Sequence, residues 1–323
     1  MKIFAYPHAF SELACTNESY LTRLENCGCK NEKNNYLGML LFTSLRDKHD
    51  PWELANFVVM KSVRQIPVVA VHPYWEHPVL FARKILSFQH IHQRAISINW
   101  ITGISQKDLS KLGVNISKSE RYSFLAEYIE IVNLLLSKKS PINFSGKYFK
   151  FEAQSLALEV LFEVKQFLSG SSTCAVNCVK NFPYLIHLDA AREDTSSYSN
   201  TVQGVGLGIV VRPTVDEARK VYELKLPKTT SSKVYSKMVS QNSDSRWRKM
   251  LSQNEITGPM IGSDSLQRAS NLGFFVGDYD QFEIFTKKHL EHGIKYFFMS
   301  ILDSEEHSHL SQALNNFSQA PKM

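Results

Sequence analysis

Residues 66–102 read IPVVAVHPYWEHPVLFARKILSFQHIHQRAISINWIT. A β-branched run, Ile66 to Val71, leads into Pro78 to Ile91, where apolar residues recur every three or four positions, and then into a second β-rich run, Ala95 to Thr102. Strand, helix, strand in this order predicts parallel strands covered by helices. The alternation extends in both directions. KIFAY (2–6), YLGMLLF (36–42), GLGIVV (206–211) and YFFMSI (296–301) read as further strands, and Trp52 to Val63, Arg121 to Leu136, Val215 to Leu226 and Asp280 to His292 as further helices. LEVLFEV (158–164) and YLIHL (184–188) fill the middle and bring the strands to about eight.

Some boundaries are legible. Asp50-Pro51 and His77-Pro78 place proline at a helix start, where its missing N–H costs nothing, and His292-Gly293 closes the helix before the last strand. INFSGKYFKFE (142–152) alternates apolar with polar residues around a two-residue turn at Ser145-Gly146, a hairpin leaving the alternating pattern. The stretch from Asp189 to Gln203 is polar and too short for a full helix. Two loops are long: Ser105 to Ser119, and the serine-rich Lys225 to Gln267, which reads as a mobile lid or insertion. A chain of 323 residues accommodates one α/β barrel of about 250 residues with insertions, so residues 1–323 read as a single domain.

Composition excludes several classes. The chain is 43% hydrophobic and 21% charged, which is ordinary globular usage rather than a fibre or a disordered tail. Its net charge of +6 is scattered in pairs such as Lys138-Lys139 and Lys287-Lys288, with no tract that could follow a nucleic-acid backbone. No apolar run is long enough to span a membrane, and MKIFAYPHAF turns polar too early for a signal peptide, so a cytoplasmic location is expected. The cysteines, Cys15, Cys27, Cys29, Cys174 and Cys178, are odd in number and lack C-x-x-C spacing, which predicts free thiols and no metal site.

No nucleophile elbow, Walker loop, zinc helix or dinucleotide fingerprint is present; Gly204 to Gly208 leads into a strand rather than a helix. Phe167-Leu168-Ser169-Gly170-Ser171-Ser172 follows a β-rich run and precedes the short helical segment Cys174 to Lys180. Small residues before a helix start make a cradle for a phosphate, or an ordinary turn and helix cap. His8 and His72 end the first and third strands, so in a barrel both face one mouth, as donors to a ligand or as core histidines.

Three further stretches carry a resemblance: AISINWITG (95–103), SERY (119–122) at the start of a long helix, and the hairpin INFSGKYFKFE. Their order and spacing resemble those of the luciferase-like flavin monooxygenases, and more narrowly the alkanesulfonate monooxygenases. FAYPH, VAVHPYWEHP, SGSS, GIVVRPTVDEA and RASNLGFFVGD look like their counterparts along most of the chain. The resemblance implies a (β/α)8 TIM barrel with a shortened helix between its sixth and seventh strands, working as a homodimer paired through the segments around Phe57, Val58, Met60, Phe81 and Ile85. It also implies reduced FMN received from a separate NAD(P)H-dependent flavin reductase and used with O2 to oxygenate an organic substrate.

Carried over by position, Gly170, Ser171 and Ser172 would hold the FMN phosphate together with Tyr122, and Asn99 and Thr102 would line the flavin. His8, His72 and Arg268 would serve the chemistry, the arginine as an anion clamp at the lid. This sequence departs from the sulfonate enzymes at Gly206 and Gly208, where they carry arginine and histidine. Those glycines would enlarge the pocket for a bulkier small-molecule or carrier-bound substrate such as a natural-product intermediate. Two other readings are a non-catalytic flavin-binding barrel and a deazaflavin-dependent oxidoreductase.

Overall fold

Eight strands, all parallel, close into a ring in the computed structural model, which describes residues 1–8, 19–42, 49–102, 106–137, 141–230, 258–261, 264, 268 and 272–319. In chain order the strands are β1 (Lys2–Pro7), β2 (Gly38–Leu41), β3 (Ile66–Val71), β4 (Ser97–Trp100), β5 (Ile142–Ser145), β6 (Lys150–Gln154), β7 (Gln166–Ser169), β8 (Ile186–Ala190), β9 (Val202–Arg212), β10 (Met260–Ile261), β11 (Phe274–Asp278) and β12 (Tyr296–Ile301). The ring runs β1-β2-β3-β4-β7-β8-β9-β12 and returns to β1, where Phe4 pairs with Phe298. The helices are α1 (Tyr20–Lys33), α2 (Pro51–Lys61), α3 (Pro78–His92), α4 (Gln106–Lys111), α5 (Lys118–Ser137), α6 (Thr173–Asn181), α7 (Val215–Lys225), α8 (Tyr279–Glu291) and α9 (Ser304–Gln319). This is a (β/α)8 barrel.

Alternation along each strand sends every second residue inward. Phe4 and Phe298 stack inside the ring with centroids 4.7 Å apart, and Phe167 meets them edge-on. Helix starts follow the sequence signals. Asp50 accepts from the Trp52 N–H at 2.8 Å ahead of Pro51. His77 replaces an acidic cap, its Nδ1 accepting from the Val79 N–H at 3.3 Å. Gly293 takes φ +84 after α8, a left-handed conformation that favours glycine.

Three expectations are corrected. Leu158 to Val164 is not a strand: its backbone lies over α3, with the Leu161 and Phe162 N–H groups donating to Gln89 Oε1, and the true strand begins at Gln166. The hairpin loop has four residues, because Ser145 pairs with Lys150. Its N–H groups at Lys147, Tyr148 and Phe149 all donate to the Glu127 carboxylate of α5, at 2.9, 2.9 and 2.7 Å. Finally, Val58, Phe81 and Ile85 are buried within the protomer, leaving Met60 exposed and Phe57 half-buried on that face.

The missing helix between β8 and β9 is real; a single 3₁₀ turn, Thr195–Ser197, stands in its place. The wall is nevertheless covered. The buried Arg192 bonds Asp189 at 2.5 Å and the Ser197 carbonyl at 2.9 Å, its guanidinium lies over the Tyr198 ring, and the Tyr198 hydroxyl meets His289 Nε2 of α8 at 3.1 Å. β11 lies outside the ring. Ala191 N–H donates to the Gly206 carbonyl and Gly208 N–H to that of Gly273, so β11 occupies the same edge of β9 as β8, just beyond the end of β8. Within the predicted lid, residues 231–257, 262–263 and 265–267 lie outside the described residues, as does Cys15; Cys27, Cys29, Cys174 and Cys178 are free. Among the described residues, no helix is long and apolar enough to cross a membrane.

Candidate active site at the carboxyl ends of the strands

In a β/α barrel each helix starts at the rim where its strand ends, so α5 and α6 both present their N-termini at the carboxyl face. Ser117 and Glu120 form a reciprocal cap at the start of α5, with Ser117 Oγ donating to the glutamate at 2.8 Å, and Tyr122 falls in the first turn. Ser172 caps α6, its Oγ accepting from the Ala175 N–H at 3.2 Å. The same Oγ lies 3.4 Å from the Tyr122 hydroxyl. A Cβ at Gly170 would stand 3.0 Å from that hydroxyl and 3.1 Å from the Ala175 methyl, so a side chain there would fill the concavity.

Next to this turn, Ser169 Oγ donates to Asn99 Oδ1 at 2.8 Å, joining the ends of β7 and β4, and Thr102 is half-buried two residues past β4. The structure therefore brings Asn99, Tyr122, Gly170 and Ser172 together, with Ser171 inside the same turn. Hydroxyls, a helix N-terminus of nine residues and a glycine without room for a Cβ are a donor set that fits a phosphate.

The two histidines lie elsewhere on the rim. His8 is buried after β1; its Nδ1 meets Ser300 Oγ at 3.0 Å, and Phe274 stands edge-on to its ring at 5.5 Å. Burial, helped by the nearby Arg23 charge, pushes its pKa down to about 4. His72 is buried after β3 beside Trp75, with a ring separation of 4.8 Å. Burial lowers its pKa to about 4 against a hydrogen bond with the Ile101 backbone, and its Nδ1 has no hydrogen-bond partner among the described residues. Both imidazoles are neutral near pH 7.

Arg268 makes its contacts with none of these residues. It bonds Asp264 at 2.5 Å and the Leu226 carbonyl, and lies 4.9 Å over the Tyr222 ring, which packs against Phe274. Two aromatic rings separate it from His8. The glycines of β9 do not widen the pocket as expected either: a Cβ at Gly208 would meet the Phe274 ring at 2.4 Å, so that ring already fills the space. At Gly206 the nearest atom is a Leu272 methyl at 3.6 Å.

Sequence reasoning missed three neighbours of the cradle. Arg121, adjacent to Tyr122, is buried and supplies a cation near the Tyr74 hydroxyl. Tyr74, next to His72, has a buried hydroxyl without a partner among the described residues. His187 on β8 bonds the Gly170 carbonyl at 2.6 Å. The S-E-R-Y motif contained the signal for Arg121; nothing local marks the other two.

Known proteins share features with this chain in sequence and in fold. Residues 16–161 match the family model of the luciferase-like monooxygenases. The chain is 27% identical over 280 residues, 80% of each chain, to the 4-(gamma-L-glutamylamino)butanoyl-BtrI acyl-carrier protein monooxygenase BtrO of Niallia circulans. Its fold is similar to that of the EDTA monooxygenase EmoA from Chelativorans sp. BNC1, with a TM-score of 0.75 at 15% identity, covering 98% of this chain and 93% of that one. It is similar too to an F420-dependent secondary alcohol dehydrogenase, at TM-score 0.65 and 11% identity over 98% of each chain. At such identities the structural likeness is one of fold. The barrel, the family model matched over residues 16–161 and the relative over most of its length make the chain similar to the luciferase-like monooxygenases.

Proposed function

We propose that this protein is the oxygenase of a two-component system, taking reduced FMN from a separate NAD(P)H-dependent reductase and oxygenating an organic substrate presented on a carrier protein. The observation that supports it most is the convergence of the Tyr122 hydroxyl on the Gly170 to Ser172 turn at the start of α6. Those residues would hold the phosphate, and Asn99 and Thr102 would line the flavin. When bound, reduced FMN supplies the electrons that activate molecular oxygen.

The chain supplies binding, orientation and dryness. His8 and His72, uncharged near pH 7, can each donate or accept one hydrogen bond without adding a charge to the pocket. Phe274 and the core rings Phe4, Phe167 and Phe298 keep water from the barrel interior. An anionic sulfonate finds no cation at positions 206 and 208 of β9, since glycines stand there and Phe274 covers the second of them. The carrier-bound substrate is favoured by the likeness to BtrO, whose substrate is carried on an acyl-carrier protein. Two copies would pair through the face of α2 and α3 that exposes Met60 and Ile91.

The test is anaerobic titration of the whole chain with reduced FMN. Tyr122→Phe and Ser172→Ala each remove a hydrogen bond to a charged group, worth about 1.5–3 kcal/mol, and should weaken binding about 10- to 100-fold. Unchanged affinity in both variants, or tighter binding of reduced deazaflavin than of reduced FMN, would refute the assignment. Uptake of oxygen no faster than by free reduced flavin would leave a barrel that binds flavin without catalysis.

A further inference from the structure

His187 sits on β8 with 1% of its surface exposed. Its neighbour Leu188 points at Gly204 inside the ring, so His187 points outward, away from the barrel interior. There its Nε2 lies 2.6 Å from the Gly170 carbonyl and its Nδ1 2.8 Å from Thr201 Oγ1. A carbonyl can only accept, so Nε2 carries a proton. Thr201 Oγ1 is held in turn by Ser199 Oγ at 2.7 Å.

The Gly170 N–H donates to the Leu188 carbonyl at 3.1 Å. Both backbone polar groups of Gly170 are thus tied to β8. The described chain has no cis peptide, and in a planar trans peptide the C=O and the following N–H point in opposite directions. Holding the Gly170 carbonyl towards His187 therefore turns the Ser171 N–H away from β8. Rotation of that peptide would swing the N–H back, and would move the serine hydroxyls relative to Tyr122.

We propose that His187 is a positioning residue which sets the peptide plane of the phosphate-binding turn from behind, without touching the ligand. The proposal rests on the reading that this turn takes the phosphate of FMN. Its signature is a loss of phosphate recognition that leaves the rest of flavin binding intact.

The experiment compares the dissociation constants of reduced FMN and reduced riboflavin, which lacks the phosphate, on the full chain under anaerobic conditions. His187→Ala should lower the preference for FMN about tenfold while riboflavin affinity stays at the wild-type value. His187→Gln places an amide N–H where Nε2 stood and should keep the preference within about threefold; His187→Asn is too short to reach and should behave as alanine. If the alanine chain does not fold, the asparagine and glutamine pair carries the comparison. Equal weakening of both flavins in the alanine and asparagine variants, or a preference equal to wild type, overturns the role of His187 alone. A wild-type chain that binds both flavins equally overturns the phosphate reading, and this proposal with it.

Discussion

Burial pushes four histidines, His8, His72, His289 and His307, from the ordinary 6.5 down to about 4. Their neutral forms are stabilised by the fold, so the unfolded chain binds more protons between those two values. The stability they contribute is present above pH 6.5 and is lost as pH falls towards 4. For one such group the loss reaches at most about 2 kcal/mol at pH 5. Urea unfolding should therefore show a marked drop between pH 7.5 and pH 5. His289→Gln should lose less over that interval than the wild type, and an equal loss in the two would mean that His289 is protonated in the fold.

Among the elements, the β5–β6 hairpin depends most on one side chain. Glu127 on α5 accepts three N–H groups of the loop, and Lys147 Nζ bonds Glu120 at 3.2 Å nearby. A Cβ at Gly146 would meet the Glu127 carboxylate at 2.3 Å, so it is close approach that calls for glycine there. Glu127→Ala should cost about 2–4 kcal/mol, with cleavage by protease moving into residues 141–155, whereas Glu127→Gln should cost less because one acceptor oxygen remains. Equal stability of the alanine variant by urea titration would show that the hairpin holds itself. Sequence alternation announced this hairpin, but its loop length was misread, because the acceptor that shapes the loop lies about twenty residues away on another element.

For the molecule as a whole, a buried ion pair ties the carboxyl end of β9 to the last helix. Arg212 at the end of β9 is fully buried and grips Glu306 of α9 through two nitrogens, one at 2.8 Å; Lys225 of α7 reaches the same carboxylate at 2.8 Å. The acidic group Asp303, Glu305 and Glu306 is thereby paired with the two cations Arg212 and Lys225. Glu306→Gln leaves Arg212 without its main countercharge and should cost about 3–5 kcal/mol in denaturant unfolding, whereas Arg212→Met with Glu306→Leu should restore much of it. A double variant no more stable than the single one would mean that the pair contributes more than it costs to bury.

By itself the sequence determined the parallel α/β alternation, because strand and helix periods are local properties of side-chain spacing and survive without tertiary context. It also marked the turn at Ser169 to Ser172 and the tyrosine at 122, since small residues before a helix and a residue in a first helical turn have recognisable neighbours. It left α1 and α9 unread: α1 is mostly polar and buries Arg23, Gly28 and Asn31 beside Leu24 and Cys27, and α9 opens on the acidic and polar run SEEHSH before its apolar residues Leu310, Ala313 and Leu314. Only the tertiary structure decided that Phe274, from a strand outside the ring, fills the space at Gly208, that Arg268 is held by the Leu226 carbonyl behind two rings, and that His187 braces the cradle. Those facts depend on contacts between residues distant in the chain, 17 positions apart for His187 and Gly170, 42 for Arg268 and Leu226 and 66 for Gly208 and Phe274, and such pairs are set by how the ring closes rather than by any local pattern.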